Sequence, residues 1–364
     1  MAFIAQRETD ERIEQLKKDG AIFYSISKAD SINTCLYKTF LAYIEYAKSI
    51  PNIYSIMGSK VHDTLESIMN GQATKADLLP ALKSELEDAQ IFGFDFPKDR
   101  MGGTSIRDNW IKNMTHFCEN FIPPKGNFTT EELFIYHLGD NRYVRGYIDL
   151  VQHNRDGSLS IWDWKTSSQF SKETLLEHGR QLVMYALAKE SEGYTVKTTG
   201  WIMLKYVEIT FEGKLRKNSK NKTTISKVCD RHKIAQTLKP YIQHDLEDAG
   251  YDEIDTDLFL FQLMQSNSLD MLPNDIRTKY SIKPYVRRYE ITDELKAETL
   301  AYITKQADIF ESLPRNDSSQ WKPQTINKQT EFFCNYLCDY KHICPHLARY
   351  RRQKELDNLS DDLF

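Results

Sequence analysis

The residues with most chemical potential are Asp149, Asp163 and Lys165, in the stretch YVRGYIDLVQHNRDGSLSIWDWK at 143–165. Two aspartates on adjacent strands make a hard-oxygen site suited to Mg2+ or Mn2+. A divalent cation there polarises a phosphoryl oxygen and lowers the pKa of bound water, while a nearby lysine positions that water and offsets charge. A D-x-K triplet alone is a weak signal, because charged residues alternate on many exposed strands. Its setting is far more specific: it follows G-Y-I-D and precedes a Q-x-x-x-Y pair, Gln181 and Tyr185. A second signal is C-x3-C-x5-C, formed by Cys334, Cys338 and Cys344. Closely spaced thiolates imply a soft-metal site, either zinc or an iron–sulfur cluster, and spacing does not choose between them.

The elements that must position these groups can be read from periodicity. EELFIYHL (131–138), 143–151 and 158–165 read as strands, with NRDG (154–157) as the turn between the last two. Asp163 and Lys165 are two apart and so share one face. A three-residue loop, Arg155 to Gly157 with Gly157 left-handed, sets His153 opposite Leu159 and Asp149 opposite Asp163. Residues 171–192 read as a helix that stacks Gln181 and Tyr185 on a single face, and 199–211 returns as a strand. This order predicts an α/β fold with a mixed central sheet flanked by helices. Upstream, GSKVHDTLESIMNG (58–71) is a helix with Val61, Leu65, Ile68 and Met69 on its apolar face and His62 one step off it. Ser27 is placed to cap a short helix leading into a second that carries Cys35. Residues 7–19 read as a polar helix stopped by Gly20, and 75–121 as largely helical with a break at Met101–Gly103.

Composition limits the remaining choices. The chain has 364 residues, 20 Tyr, 18 Phe and a formal net charge of −4, so nucleic acid would have to be met by local basic patches. Two such patches stand out: Lys214, Arg216, Lys217, Lys220 and Lys222, and Arg277, Lys279, Arg287 and Arg288. No run is apolar enough to cross a bilayer and no secretory signal is visible, which predicts a cytoplasmic protein without a membrane partner. Six cysteines in that compartment argue against a disulfide framework. Cys118 and Cys229 stand alone and read as structural.

The combined motifs resemble the PD-(D/E)XK nuclease superfamily in its RecB-like branch, with its G-x-x-V-H helix, G-x-x-D strand, D-x-K strand and Q-x-x-x-Y helix. The matching residues are Gly58, Val61 and His62; Gly146 and Asp149; Asp163 and Lys165; Gln181 and Tyr185. The resemblance implies a restriction-endonuclease-like core in which His62, Asp149 and Asp163, joined by the backbone carbonyl of Trp164, bind the metal. Lys165 would activate the attacking water, and Gln181 and Tyr185 would line the site. AddB-type and CRISPR-adaptation nucleases pair such a core with one upstream and three C-terminal cysteines on a 4Fe–4S cluster. Cys35, Cys334, Cys338 and Cys344 fill that pattern, though that family usually has C-x2-C at the first pair and often a proline where this chain has Leu36.

The expectation is therefore a Mg2+- or Mn2+-dependent deoxyribonuclease, exonucleolytic or single-strand-preferring, acting in recombination, repair or replication, with a phage origin in keeping. The alternatives are a non-catalytic iron–sulfur DNA-binding subunit of a helicase–nuclease or replication complex, and a four-cysteine zinc protein. The expected organisation is an N-terminal helix (1–20), one nuclease domain (21–345) with core motifs at 58–211 and a less assignable insert at 213–290, and a charged tail (346–364). DNA, single-stranded or with free ends, is the expected partner. The tail has the composition of a disordered segment, and its Leu363–Phe364 end suits docking to a helicase, a single-strand-binding protein or a sliding clamp.

Overall fold

The computed structural model describes residues 10–99, 101–213 and 223–361. Asp10 caps α1 (Glu11–Lys18) by accepting from the Arg12 amide, and Gly20, at φ +81°, turns the chain into β1 (Ile22–Tyr24). Helices α2 (Ile26–Thr34) and α3 (Leu36–Tyr43) follow; the first is capped by Ser25 rather than by Ser27, since only Ser25 precedes the first helical turn. Helix α4 (Ile53–Met69) carries the G-x-x-V-H motif, and α5 (Lys75–Ile91) and α6 (Ser105–Asn120) fill the next region on either side of the expected glycine break.

Three strands then come in sequence: β2 (Asn127–Gly139), β3 (Arg142–His153) and β4 (Leu159–Lys165). The β3–β4 register pairs His153 with Leu159 and Leu150 with Trp162, as the three-residue loop predicts, and Gly157 is left-handed at φ +80°. Helix α7 (Leu175–Ser191) is the crossover that lets β5 (Val196–Gly213) lie parallel to β4. The sheet is mixed and seven-stranded: β1–β3 and β4–β5 pair parallel, and β2–β3, β3–β4, β5–β6 and β5–β7 antiparallel, where β6 is Thr223–Asp230 and β7 is Tyr280–Arg288.

Alternation along the strands divides the core between the two faces. Ile148, Ile161, Trp201 and Met203 pack with Leu182 and Met184 of α7, whereas Leu150, Trp164 and Leu204 pack with Val61, Leu65 and Trp110 of α4 and α6. Of the 213–290 region, the described residues 223–290 extend this same sheet. Helices α8 (Ile234–Asp248), α9 (Glu253–Ser266) and α10 (Asn274–Arg277) cover Val207, Ile209 and Phe211 on the far half of β5. Helix α11 (Asp293–Ser312) packs against α2 and α7. The last helix, α12, runs Pro345–Asp361, so most of the charged tail is helical rather than irregular. Among the described residues no helix is long and apolar enough to cross a membrane.

Candidate active site

Three elements meet at the C-terminal end of β4. His62 on α4 places Nδ1 3.3 Å from Asp149 Oδ2, and the same oxygen accepts from the Trp164 amide at 3.1 Å. Gly146 is required three residues before Asp149 because the Phe134 ring of β2 fills the space where a Cβ would stand, 2.8 Å away. Asp163 is 1% exposed, and its Oδ2 lies 2.6 Å from Lys165 Nζ as a charge partner but without hydrogen-bond geometry. Lys165 donates to Gln181 Oε1 at 3.1 Å, and Gln181 donates to the Tyr185 hydroxyl at 2.6 Å. Helix α7 is in turn held by Arg180, which grips Glu298 of α11 and lies 3.8 Å from the centre of the Tyr302 ring.

The electrostatics follow from burial of like charges. Burial and the neighbouring Asp163 carboxylate push Asp149 well above the usual carboxylate range. Burial also holds His62 below its ordinary value, so the imidazole is neutral and can lend a lone pair. For Lys165 burial works downward, but Asp163 and Asp149 outweigh it and keep the ammonium above its usual pKa. A buried carboxylate in contact with a neutral imidazole is a donor pair that fits a divalent cation, and the nearby Asp163 adds the negative charge a cation would offset.

The structure adds a residue that motif spacing does not single out. Glu131 brings a carboxylate oxygen within 4.8 Å of donor atoms of His62 and Asp149. It lies in β2 between the pairs Thr130–Leu150 and Glu132–Ile148, opposite Asp149, and adopts φ +48°. A left-handed residue inside a strand is uncommon outside glycine and costs about 1–3 kcal/mol. The only sequence signal is a glutamate at the start of the strand paired with β3.

The four cysteines of the second motif also converge. Cys35, Cys334, Cys338 and Cys344 line one small cavity with Tyr37 and His346. Cys35 caps α3, and its sulfur accepts from the Lys38 amide at 3.4 Å and the Gln324 amide at 3.3 Å. The extra residue of the C-x3-C pair falls in a π-helical turn, Phe333–Leu337. Burial and the other three thiols push Cys334 up to about 11. Asn52, the cap of α4, donates to the Leu337 carbonyl at 3.0 Å, so the helix bearing His62 starts on the cysteine segment. Cys118 is buried in the core beside Phe117, and Cys229 is half-buried in β6.

Of the two expected basic patches, only the second falls among the described residues, and its members are divided between two places. Lys214, Arg216, Lys217, Lys220 and Lys222 lie outside the described residues. Arg277 donates to Asn274 and Lys279 pairs with Asp245, both within the α8–α10 cluster. Arg287 instead reaches the Phe170 carbonyl in the loop after β4, and Arg288 is exposed beside it on β7.

The PD-(D/E)XK nuclease superfamily model matches residues 24–345, from β1 to just past the last cysteine. The chain belongs to this superfamily. PD-(D/E)XK proteins are generally metal-dependent nucleases, in keeping with the donor group found here. No curated protein matches. Among solved structures, the crystal structure of SSO0001 aligns over 85% of this chain and 94% of that one at 13% identity, with a TM-score of 0.26. A likeness that low supports no conclusion about this chain.

Proposed function

We propose that this chain is a Mg2+- or Mn2+-dependent deoxyribonuclease, exonucleolytic or single-strand-preferring, that hydrolyses phosphodiester bonds in DNA recombination, repair or replication. The observation that carries the proposal is the His62–Asp149 contact lying beside the Asp163–Lys165 pair, with the Trp164 amide donating to Asp149, so that three separate elements supply the site. His62, Asp149 and Asp163, with the Trp164 carbonyl, would hold the cation, and Glu131 has the reach to join them. When bound, the cation supplies Lewis-acid polarisation of the scissile phosphate and a water of lowered pKa. Lys165, kept charged by the two aspartates, orients the attacking water and offsets phosphate charge. Gln181 and Tyr185 fix that ammonium in place.

The thiol cavity is the site of a 4Fe–4S cluster in the same proposal. Four cysteines line it, and amide N–H groups already point at the Cys35 sulfur, a feature that tunes such clusters. One zinc ion at about 2.3 Å from each sulfur would draw the four within about 4 Å of one another. A 4Fe–4S cluster, which binds each thiolate to a different iron, would hold them further apart.

The test compares wild type with Asp163→Ala on end-labelled single- and double-stranded DNA, with Mg2+ or Mn2+ and with chelator. Cleavage should need the metal and vanish in the variant; metal-dependent cleavage that survives the substitution refutes the site.

A further inference from the structure

Strand β5 changes register against β7 between Ile202 and Val207, so that Met203 to Tyr206 leave the β7 ladder, with Met203 still paired to β4 and Tyr206 to β6. Met203 still packs with the α7 face and Leu204 with the α4 face, whereas Val207 begins the α8–α10 cluster. Lys205 sits inside this irregularity and is 9% exposed. Bulges occur preferentially beside active sites, where they re-aim a side chain. The buried polar group at this irregularity is an ammonium. Its Nζ donates to the hydroxyl of Ser168 at 3.3 Å, and no carboxylate lies within ion-pair distance of it among the described residues. Asp230, which pairs across the sheet with Tyr206, is the charged group acting on it, and the Tyr206 ring lies 5.9 Å from the ammonium.

Position gives this cation its meaning. Lys165 pairs with Met203 across β4 and β5, so Lys205 lies one strand step beyond the proposed catalytic lysine, where β4 has ended. Ser168 is three residues after Lys165 and exposed, at most about 11 Å along an extended chain. Thr166, between them, faces the open side of Gly58 on the helix that carries His62. A buried ammonium with no ion pair among the described residues, next to an exposed hydroxyl at the rim of the proposed phosphodiester-cleaving site, is matched by a phosphate oxygen.

We propose that Lys205 and Ser168 form a phosphate subsite that grips a backbone phosphate of the nucleic-acid strand flanking the scissile one. This inference rests on the nuclease reading above. The subsite is independent of base identity and positions the strand against the metal site without taking part in the bond cleavage.

The test measures binding of a single-stranded oligodeoxynucleotide in Ca2+, and its cleavage in Mg2+, over a range of salt concentrations. The proteins compared are wild type, Lys205→Met, Lys205→Arg and Ser168→Ala. Lys205→Met keeps the buried stem and removes the charge. It should weaken binding about tenfold and flatten the slope of log K against log salt by about 0.7, the loss of one phosphate contact on a single strand. Lys205→Arg should restore most of that slope, and Ser168→Ala should weaken binding without changing it. A folded Lys205→Met protein with wild-type affinity and wild-type salt slope overturns the subsite while leaving the nuclease reading intact. Wild type that neither binds nor cleaves the oligonucleotide overturns both.

Discussion

Replacing Cys334 with alanine tests the link between the thiol cavity and the rest of the fold. The cavity ties α3, near the start of the matched region, to the segment before α12. A cross-link from residue 35 to residue 334 closes a loop of about 300 residues, and a link retained by the unfolded chain is then worth roughly 5–6 kcal/mol. A cluster released on unfolding contributes its binding free energy instead, which for structural metal–thiolate sites is larger, about 10–16 kcal/mol. The smaller figure sets the floor. With an unfolding entropy of about 2.1 cal/mol/K per residue, a loss of that size lowers Tm by roughly 7 °C for a chain of this length. Nuclease activity should fall as well, because the Leu337 carbonyl anchors Asn52 at the start of the helix bearing His62. The assay combines iron content and visible absorption of anaerobically purified protein with thermal unfolding and DNA cleavage. Cys118→Ala is the control: it loses core packing but should keep its iron. A Cys334→Ala protein with wild-type iron, Tm and activity would sink the reasoning, and stoichiometric zinc in place of iron would replace the cluster with a single metal ion.

Two further outcomes are expected. Glu131→Gln should weaken Mn2+ binding at least about 10-fold, the lower end of what even an outer partner of a metal ligand contributes; calorimetric titration with unchanged affinity would remove Glu131 from the donor set. His116 concerns stability rather than chemistry. Burial, with Arg231 nearby, pushes its pKa down to about 4. Above about pH 6.5 the ring is neutral in both folded and unfolded chains, and between there and 4 only the unfolded chain takes the proton. Stability should therefore fall as pH drops through that window. His116→Gln should flatten the acid side of the denaturant-midpoint profile, and an unchanged slope would show that other groups carry the acid sensitivity.

Much of the site is legible in the order of residues because its geometry is local. Asp163 and Lys165 share a face through strand parity, Gln181 stacks on Tyr185 through helical spacing, and the NRDG turn sets the β3–β4 register. Each depends on a few bonded neighbours, and a period of 2 or 3.6 residues records it in the chain. The same holds for the glycine break between α5 and α6. The strand at Tyr280–Arg288 is not legible in this way, because its basic and aromatic residues do not alternate cleanly and it pairs with a strand some 80 residues earlier.

What only tertiary structure decides involves groups far apart in the chain. Glu131 faces Asp149 because two long strands pair, and its backbone takes φ +48° there. Lys205 is distinctive only because β5 leaves the β7 ladder around it. Cys35 joins three cysteines some 300 residues later, and Asn52 ties their segment to the histidine helix. The Asp149, Asp163 and Lys165 motif can thus be found from sequence alone. The charges that surround it cannot, since burial and long-range proximity leave no periodic mark on a sequence.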